Sequence, residues 1–195
     1  MANIGVLALQ GAFREHAGKI RELGHNAHEI RQKKDLANLD GIILPGGEST
    51  TIGKLLNDLE IFQPLSDMLK NGLPAFGTCA GAIILSKNIL GSSQPTFGLL
   101  EIDIERNAFG RQTDSFEKDL EIPELGSIPY PAVFIRAPLM ANPGKNVKTL
   151  AELEINNRKK PVAVRQDNLL AISFHPELTE DNRFHEYFLK MVKKT

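Results

Sequence analysis

Short apolar runs alternate with helical segments along the first half of the chain, and this alternation constrains the fold more than any other feature. The apolar runs occupy residues 3–9, 25–30, 40–44 and 73–76. Apolar side chains recur at helical spacing in residues 12–23, 50–59 and 61–70. Strands joined through helices become parallel neighbours in a doubly wound sheet, and ligands bind outside the carboxyl ends of its strands. The pattern therefore predicts an α/β fold.

The second half of the chain favours strands over further strand–helix units. Its β-leaning runs, which we expect to form hairpins added to the sheet, occupy residues 97–105, 132–136, 147–155, 162–165 and 169–174. A final helix is predicted over residues 179–192. The chain has 195 residues and is 42% apolar, which suits one well-filled core and is short for two. We therefore expect a single domain over residues 1–195, with a mixed, mainly parallel sheet.

The charge and cysteine content limit which partners the chain can bind and which cellular compartment it is expected to occupy. The 23 lysine and arginine residues and 24 aspartate and glutamate residues are scattered, so neither nucleic acid nor an anionic membrane is expected as a partner. A run of about 18 apolar residues, which a transmembrane helix needs, does not occur. Cys79 is the only cysteine, so an internal disulfide is excluded and a reducing, cytoplasmic location is expected. One thiol is therefore left for chemistry.

That thiol lies in the segment Gly77-Thr78-Cys79-Ala80-Gly81, between a predicted strand and an apolar helix over residues 82–86. Small residues on both sides allow a sharp strand-to-helix turn, the geometry of a nucleophile elbow. Such a turn places the sulfur near a helix N-terminus, where a thiolate is favoured. A lone cysteine is more often a buried structural thiol. The flanking glycines favour the reactive alternative.

A base for this thiol is found in His175-Pro176-Glu177, which follows the last predicted strand. A thiolate in acyl transfer needs a base, and the base needs a group that fixes its tautomer. The alternative is a loop histidine beside a solvated glutamate. The other four histidines are predicted to be surface or interface residues, namely His16, His25, His28 and His185.

A third motif, Pro45-Gly-Gly-Glu-Ser-Thr50, follows a buried strand and opens a helix. Its backbone N–H groups are suited to an anion or an oxyanion. Paired glycines after a strand also occur in ordinary turns, so this motif alone leaves both interpretations open.

The three motifs together, in this order, resemble the class I (triad) glutamine amidotransferases. Further segments resemble those members of the family that supply ammonia to pyridoxal 5′-phosphate synthases. They are residues 8–12 with Glu15-His16, residues 106–112 with 114–116, and residues 134–138. The resemblance covers nearly the whole chain and implies a flavodoxin-like three-layer sandwich. It also implies L-glutamine as the substrate and the synthase subunit as a partner, with no cofactor and no metal.

The resemblance further implies a role for each motif. Cys79 would attack the carboxamide to form a glutamyl thioester, His175 would transfer protons, and Glu177 would orient His175. The oxyanion would be held by the backbone N–H groups of Gly47 and Ala80.

The same resemblance places the amino-acid end of glutamine and the partner face. One side of the substrate would be lined by Gly46, Gly47 and Glu48, and the other by Arg106, Ile135 and Arg136. The partner face would include Gln10, Glu15 and His16. A misoriented peptide at Gly46-Gly47 would keep the site at rest until the partner binds.

Three other functions compete with this one. The nearest is a glutaminase of another synthase, such as imidazole glycerol-phosphate synthase, against which residues 106–116 argue. A cysteine hydrolase of the intracellular protease type would share the elbow, but His175-Pro-Glu177 and the glycine-rich motif favour amide hydrolysis. A purely regulatory module would have no need of Cys79 or His175.

Overall fold

A computed structural model of the chain describes residues 1–106, 115–155 and 157–193. Its first half alternates strands and helices, as predicted. The elements are β1 (Asn3–Leu7), α1 (Phe13–Glu22), β2 (Asn26–Ile30), β3 (Gly41–Leu44), α2 (Ser49–Asp58), α3 (Phe62–Lys70), β4 (Ala75–Thr78) and α4 (Ala80–Leu85). The fourth strand begins and ends two residues later than predicted, because Gly77 and Thr78 are buried strand residues despite their low hydrophobicity.

The second half contributes eight strands and one helix to the described part of the chain. They are β5 (Ser86–Ile89), β6 (Leu100–Glu105), β7 (Ser115–Leu120), β8 (Tyr130–Ile135), β9 (Leu139–Ala141), β10 (Lys148–Ile155), β11 (Arg158–Gln166), β12 (Leu169–Ile172) and α5 (Arg183–Val192). The sequence did not predict β5, β7 or β9. The predicted final helix begins at residue 183 rather than 179, after a 3₁₀ turn over Pro176–Leu178.

The main sheet has seven strands in the order β10-β11-β12-β4-β3-β1-β2. Its central strands β12, β4, β3, β1 and β2 run parallel, and β11 and β10 are antiparallel additions at one edge. The expected mixed, mainly parallel sheet is therefore confirmed.

The prediction that all later strands extend this sheet is wrong for two of the predicted runs. β6 lies in a separate sheet of order β5-β6-β9, and among the described strands β8 pairs only with β7, in an antiparallel hairpin. β6 alternates buried and partly exposed residues, so one of its faces packs against the core while the other meets solvent.

Helices cover both faces of the main sheet. On one face, α1 and α5 bury Ile20 and Phe188 against strand residues such as Val6. On the other face, α2, α3 and α4 bury side chains such as Leu56 and Leu65. Complete burial of one such side chain contributes about 1.5–3 kcal/mol to folding. The three-layer sandwich is confirmed, whereas the single domain over residues 1–195 stays a prediction.

The carboxyl ends of β1, β3, β4 and β12 meet at one edge of the sheet. The three sequence motifs follow β3, β4 and β12, so the parallel arrangement brings them together at this edge. None of the helices in the described part of the chain has the length and apolar content needed to span a bilayer.

Candidate active site

Cys79 occupies the predicted elbow, between the last residue of β4 and the first residue of α4. Its backbone has φ 48° and ψ −102°, an uncommon conformation for a residue with a side chain. A Cβ at Gly81 would lie 1.8 Å from the Leu44 carbonyl oxygen, and one at Gly77 would lie 2.7 Å from Gly81. The small residues are therefore required by the close approach of α4 to the strands.

His175 and Glu177 form a buried pair at the end of β12. The imidazole Nδ1 lies 2.7 Å from Glu177 Oε1, and the backbone N–H of His175 donates to the Val133 carbonyl at 2.9 Å. Cys79 lies next to this imidazole, because a Cβ added at Gly46 would contact both His175 and Cys79. The predicted thiol, base and carboxylate therefore lie in one contiguous array.

The surroundings of His175 and Glu177 favour the imidazolium form of His175 and the carboxylate form of Glu177. Burial opposes the charge on His175, but hydrogen bonds and charges from Cys79 and Glu177 outweigh it and raise the His175 pKa to about 10. Burial likewise works to raise the pKa of Glu177, but His16 and His175 hold this pKa well below its ordinary range. An imidazolium beside the sulfur at neutral pH is the arrangement that stabilises a thiolate.

The glycine-rich loop after β3 is held by the residues that follow β1. The Gly46 carbonyl accepts from the N–H of Ala12 at 3.2 Å, and the N–H of Glu48 donates to Gln10 Oε1 at 2.6 Å. All described peptides are trans, so the N–H of Gly47 points away from Ala12. Gln10 therefore fixes the position of the loop directly.

The carboxylate of Glu48 caps the N-terminus of α2. It accepts from the backbone N–H groups of Thr51 at 2.7 Å and Thr50 at 3.3 Å. The hydrogen bond from the Thr50 hydroxyl is the main cause that lowers the Glu48 pKa to about 2. Glu48 is therefore ionised, and it serves the helix as well as the adjoining cavity.

A cavity of about 500 Å³ opens above the thiol. It is lined by Gln10, Gly47, Glu48, Ser49, Cys79, Ile83, Arg106, Arg136 and Pro138. One carboxylate and two guanidinium groups thus face a space large enough for an amino acid. Ile135 contributes its carbonyl oxygen, which lies 4.0 Å from Cys79 Sγ. In the described part of the chain, no group of three His, Cys, Asp or Glu side chains is placed to hold a metal ion.

The two arginines of the cavity are held differently. Arg106 donates to Gln94 Oε1 at 3.0 Å and to Ser92 Oγ at 3.3 Å, and Gln94 in turn hydrogen-bonds to Ser49. Arg136 is exposed and has a positive φ of 45°, a conformation that is rare outside functional sites and turns. The predicted segment from 107 to 114 lies outside the described residues.

A comparison of the whole sequence with known protein families gives a match that agrees with this site geometry. A model of the SNO glutamine amidotransferase family matches residues 6–194 of the chain. The chain belongs to this family. The matched range includes all three motifs and every residue that lines the cavity.

Individual relatives and solved structures agree with the family match. A Desulforamulus reducens protein named pyridoxal 5′-phosphate synthase subunit PdxT is 53% identical over 190 residues, 97% of this chain and 99% of the relative. Its Thermotoga maritima namesake is 48% identical, with the same coverage. A crystal structure described as a glutamine amidotransferase is 52% identical, has a TM-score of 0.90, and covers 97% of this chain and 98% of its own.

Solved structures with low sequence identity share this fold. PurLQS from Thermotoga maritima is 15% identical and has a TM-score of 0.68, with 97% of this chain and 99% of that chain covered. A likeness at this identity concerns the fold alone. The expected fold class of this SNO glutamine amidotransferase is thereby confirmed.

Two histidines of this glutamine amidotransferase do not lie where the sequence predicted. His16 and His185 were expected at the surface or at an interface, but both are completely buried. His16 therefore presents no side chain to a partner in this structure. Helical spacing could have shown this, because His16 shares a face with Phe13 and Ile20. The other two residues of the predicted partner face, Gln10 and Glu15, are half-buried and exposed.

Gly46→Ala is expected to lower the rate of glutamine hydrolysis by about 100-fold, the usual effect of displacing a catalytic group by about 1 Å. A Cβ at residue 46 would lie 2.5 Å from His175 Cε1 and 3.5 Å from Cys79 Cβ, so the imidazole must move. Ammonia release by the chain with its synthase checks this. Gly18→Ala is the control, because its Cβ has no atom within 4 Å. Equal rates for the two variants would contradict the placement of His175.

Proposed function

We propose that this glutamine amidotransferase is the glutaminase subunit of a pyridoxal 5′-phosphate synthase. It hydrolyses L-glutamine to L-glutamate and ammonia and delivers the ammonia to the synthase subunit. The observation that carries the proposal is the buried Glu177–His175 pair beside the only cysteine of the chain. The relatives' shared name and 48–53% identity support the choice of partner.

The reaction begins with a thiolate on Cys79 and an imidazolium on His175. The thiolate attacks the side-chain amide carbon, and the N–H groups of Gly47 and Ala80 stabilise the oxyanion. His175 donates its proton to the amide nitrogen, the C–N bond breaks, and ammonia leaves a glutamyl thioester. His175 then takes a proton from water, whose hydroxide attacks the thioester. The C–S bond breaks, glutamate leaves, and the ion pair is restored.

The cavity charges set the orientation of glutamine. The guanidinium groups of Arg106 and Arg136 bind the α-carboxylate, for which a planar fork of donors is well suited. The ionised Glu48 and the backbone around Gly46-Gly47 bind the α-ammonium side. This arrangement directs the side-chain amide towards Cys79.

The synthase subunit binds beside the loop after β1. Gln10 is half-buried and holds the N–H of Glu48, so a partner that touches Gln10 or the exposed Glu15 also acts on the glycine-rich loop. Such contact changes the population of the competent loop conformation. The lone thiol supports a reducing, cytoplasmic location for the reaction.

Ammonia release by the chain alone and with the synthase subunit tests the proposal. We expect slow hydrolysis by the isolated chain and an increase of roughly tenfold or more in the complex, since few isolated molecules are competent. Gln10→Ala should reduce this increase without affecting folding. A cyclase subunit from imidazole glycerol-phosphate synthase serves as the control and should not activate the chain. Equal rates with and without the synthase, and no detectable complex, would refute the choice of partner.

A further inference from the structure

A pair of buried histidines continues the catalytic array away from the cavity. His16 Nε2 lies 3.3 Å from Glu177 Oε2 and 3.2 Å from Thr78 Oγ1. On its other side, His16 Nδ1 lies 2.9 Å from His185 Nε2. The contacts therefore run from His185 in α5, through His16 in α1, to the carboxylate that holds His175.

The pair is costly to bury, so packing alone does not account for it. Both side chains are completely inaccessible, and the ring of Phe76 lies against both of them. His185 Nδ1 has no hydrogen-bond partner among the described residues. Burial of a polar atom without a partner destabilises the fold, and an apolar side chain of the same shape would avoid this cost.

The contacts assign the ring protons. An unpaired N–H is rarer in protein interiors than an unpaired acceptor, so the unpaired His185 Nδ1 is the bare nitrogen. His185 then donates from Nε2 to His16 Nδ1, and the proton of His16 lies on Nε2. Burial lowers the pKa of His185 well below its ordinary value, which agrees with a neutral ring.

The second carboxylate oxygen of Glu177 depends on this proton. Oε2 is buried and has no hydrogen-bond partner among the described residues, and His16 Nε2–H donates to Thr78 Oγ1 at 3.2 Å while Nε2 lies 3.3 Å from Oε2. The contact is thus chiefly electrostatic. Without it, Oε2 would be a buried charged atom with no counterpart, and the carboxylate would turn or take up a proton.

We propose that His16 is a positioning residue of the Cys79–His175–Glu177 site, and that His185 fixes the tautomer with which His16 faces Glu177. The inference rests on the proposed function, because it assigns His16 to the same array. His16 touches no reacting atom. It keeps Glu177 oriented and ionised, so that His175 stays charged beside Cys79.

The charged and titratable groups around the pair come from two elements. Glu177 and His175 face it from the turn after β12, and Lys19 acts on His185 from within α1. Lys19 is partly exposed, and it acts on His185, which reaches Glu177 only through His16. A pH effect of His16 on Cys79 therefore has to pass through Glu177 and His175.

Replacement of His16 by two amides separates positioning from packing. The amide of glutamine can reach the position of the imidazole Nε2, whereas the shorter amide of asparagine cannot. His16→Asn should therefore lose the contact with Glu177, and His16→Gln should restore it. His28→Asn is the matched control, since His28 is an exposed histidine of the edge strand β2.

Alkylation by iodoacetamide measures the effect at the sulfur, because Cys79 is the only thiol in the chain. In His16→Asn, we expect the midpoint of the alkylation rate against pH to rise by about one pH unit or more. We expect His16→Gln and His28→Asn to keep the parent midpoint. In the complex with the synthase, His16→Asn should lower kcat by about tenfold while leaving KM unchanged.

His185→Phe provides a second variant, because Phe keeps a ring among aromatic neighbours and removes only the donor to His16. It should raise the alkylation midpoint in the same direction as His16→Asn. The inference is overturned if the His16→Asn variant folds and keeps the midpoint and kcat of the parent. If His16→Asn does not fold, the same result for His185→Phe overturns it. Failure of the proposed function would look different, since Cys79→Ala would then still release ammonia.

Discussion

Cys79→Ala is expected to abolish glutamine hydrolysis, with a loss of about four orders of magnitude or more, as for other catalytic nucleophiles. No other thiol exists in the chain to replace it. Alanine keeps the Cβ of the elbow and adds no atom near Gly77 or Gly81, so the turn is preserved. Ammonia release in the complex measures the loss. The midpoint of thermal unfolding should stay close to that of the parent.

The same variant separates binding from chemistry. Because the charged groups of the cavity are untouched, Cys79→Ala should still bind glutamine, as calorimetry would show. Ammonia release by the folded variant within about tenfold of the parent rate would exclude Cys79 as the nucleophile.

His175→Asn is expected to be more damaging than Glu177→Gln, because the base transfers the proton and the carboxylate orients the base. We expect His175→Asn to lose about four orders of magnitude or more in kcat, and Glu177→Gln to lose at least about tenfold less. Both should be measured in the complex, at the pH at which the parent is most active.

The contacts of Glu177 explain why Glu177→Gln is expected to lower kcat, although less than His175→Asn does. Glu177 Oε1 lies 2.7 Å from Nδ1 of His175 and Oε2 lies 3.3 Å from Nε2 of His16, so each carboxylate oxygen faces one imidazole. Glutamine offers one oxygen, and its amide group must face one of the two donors. Equally harmless substitutions would contradict the triad. A larger loss in Glu177→Gln than in His175→Asn would indicate that Glu177 is needed for folding.

The parts of the site that the sequence predicted are those encoded locally. Glycines on both sides of Cys79 indicate the elbow because backbone approach limits which residues fit there. His175 and Glu177 are two residues apart, so a single turn suffices to pair them. The position of His16 beside Glu177 could not be predicted in this way, because it depends on how α1 packs against the sheet.

In the fold, too, the locally encoded elements could be predicted and those that depend on distant contacts could not. Parallel strands joined by helices follow from apolar periodicity, and their bounds were predicted to within about two residues. β5 and β7 are polar strands whose pairing depends on distant partners, so periodicity gives no signal for them. For the same reason, the sequence could not assign β6 and β8 to separate sheets.

Capture of the glutamyl thioester tests the central claim most directly. The complex is quenched with acid during turnover of glutamine, digested, and analysed by mass spectrometry. We predict one glutamyl group on the peptide that contains Cys79, labile to hydroxylamine and missing from Cys79→Ala. Ammonia release at the parent rate with the glutamyl group on another residue, or with no adduct on the Cys79 peptide, would contradict the account.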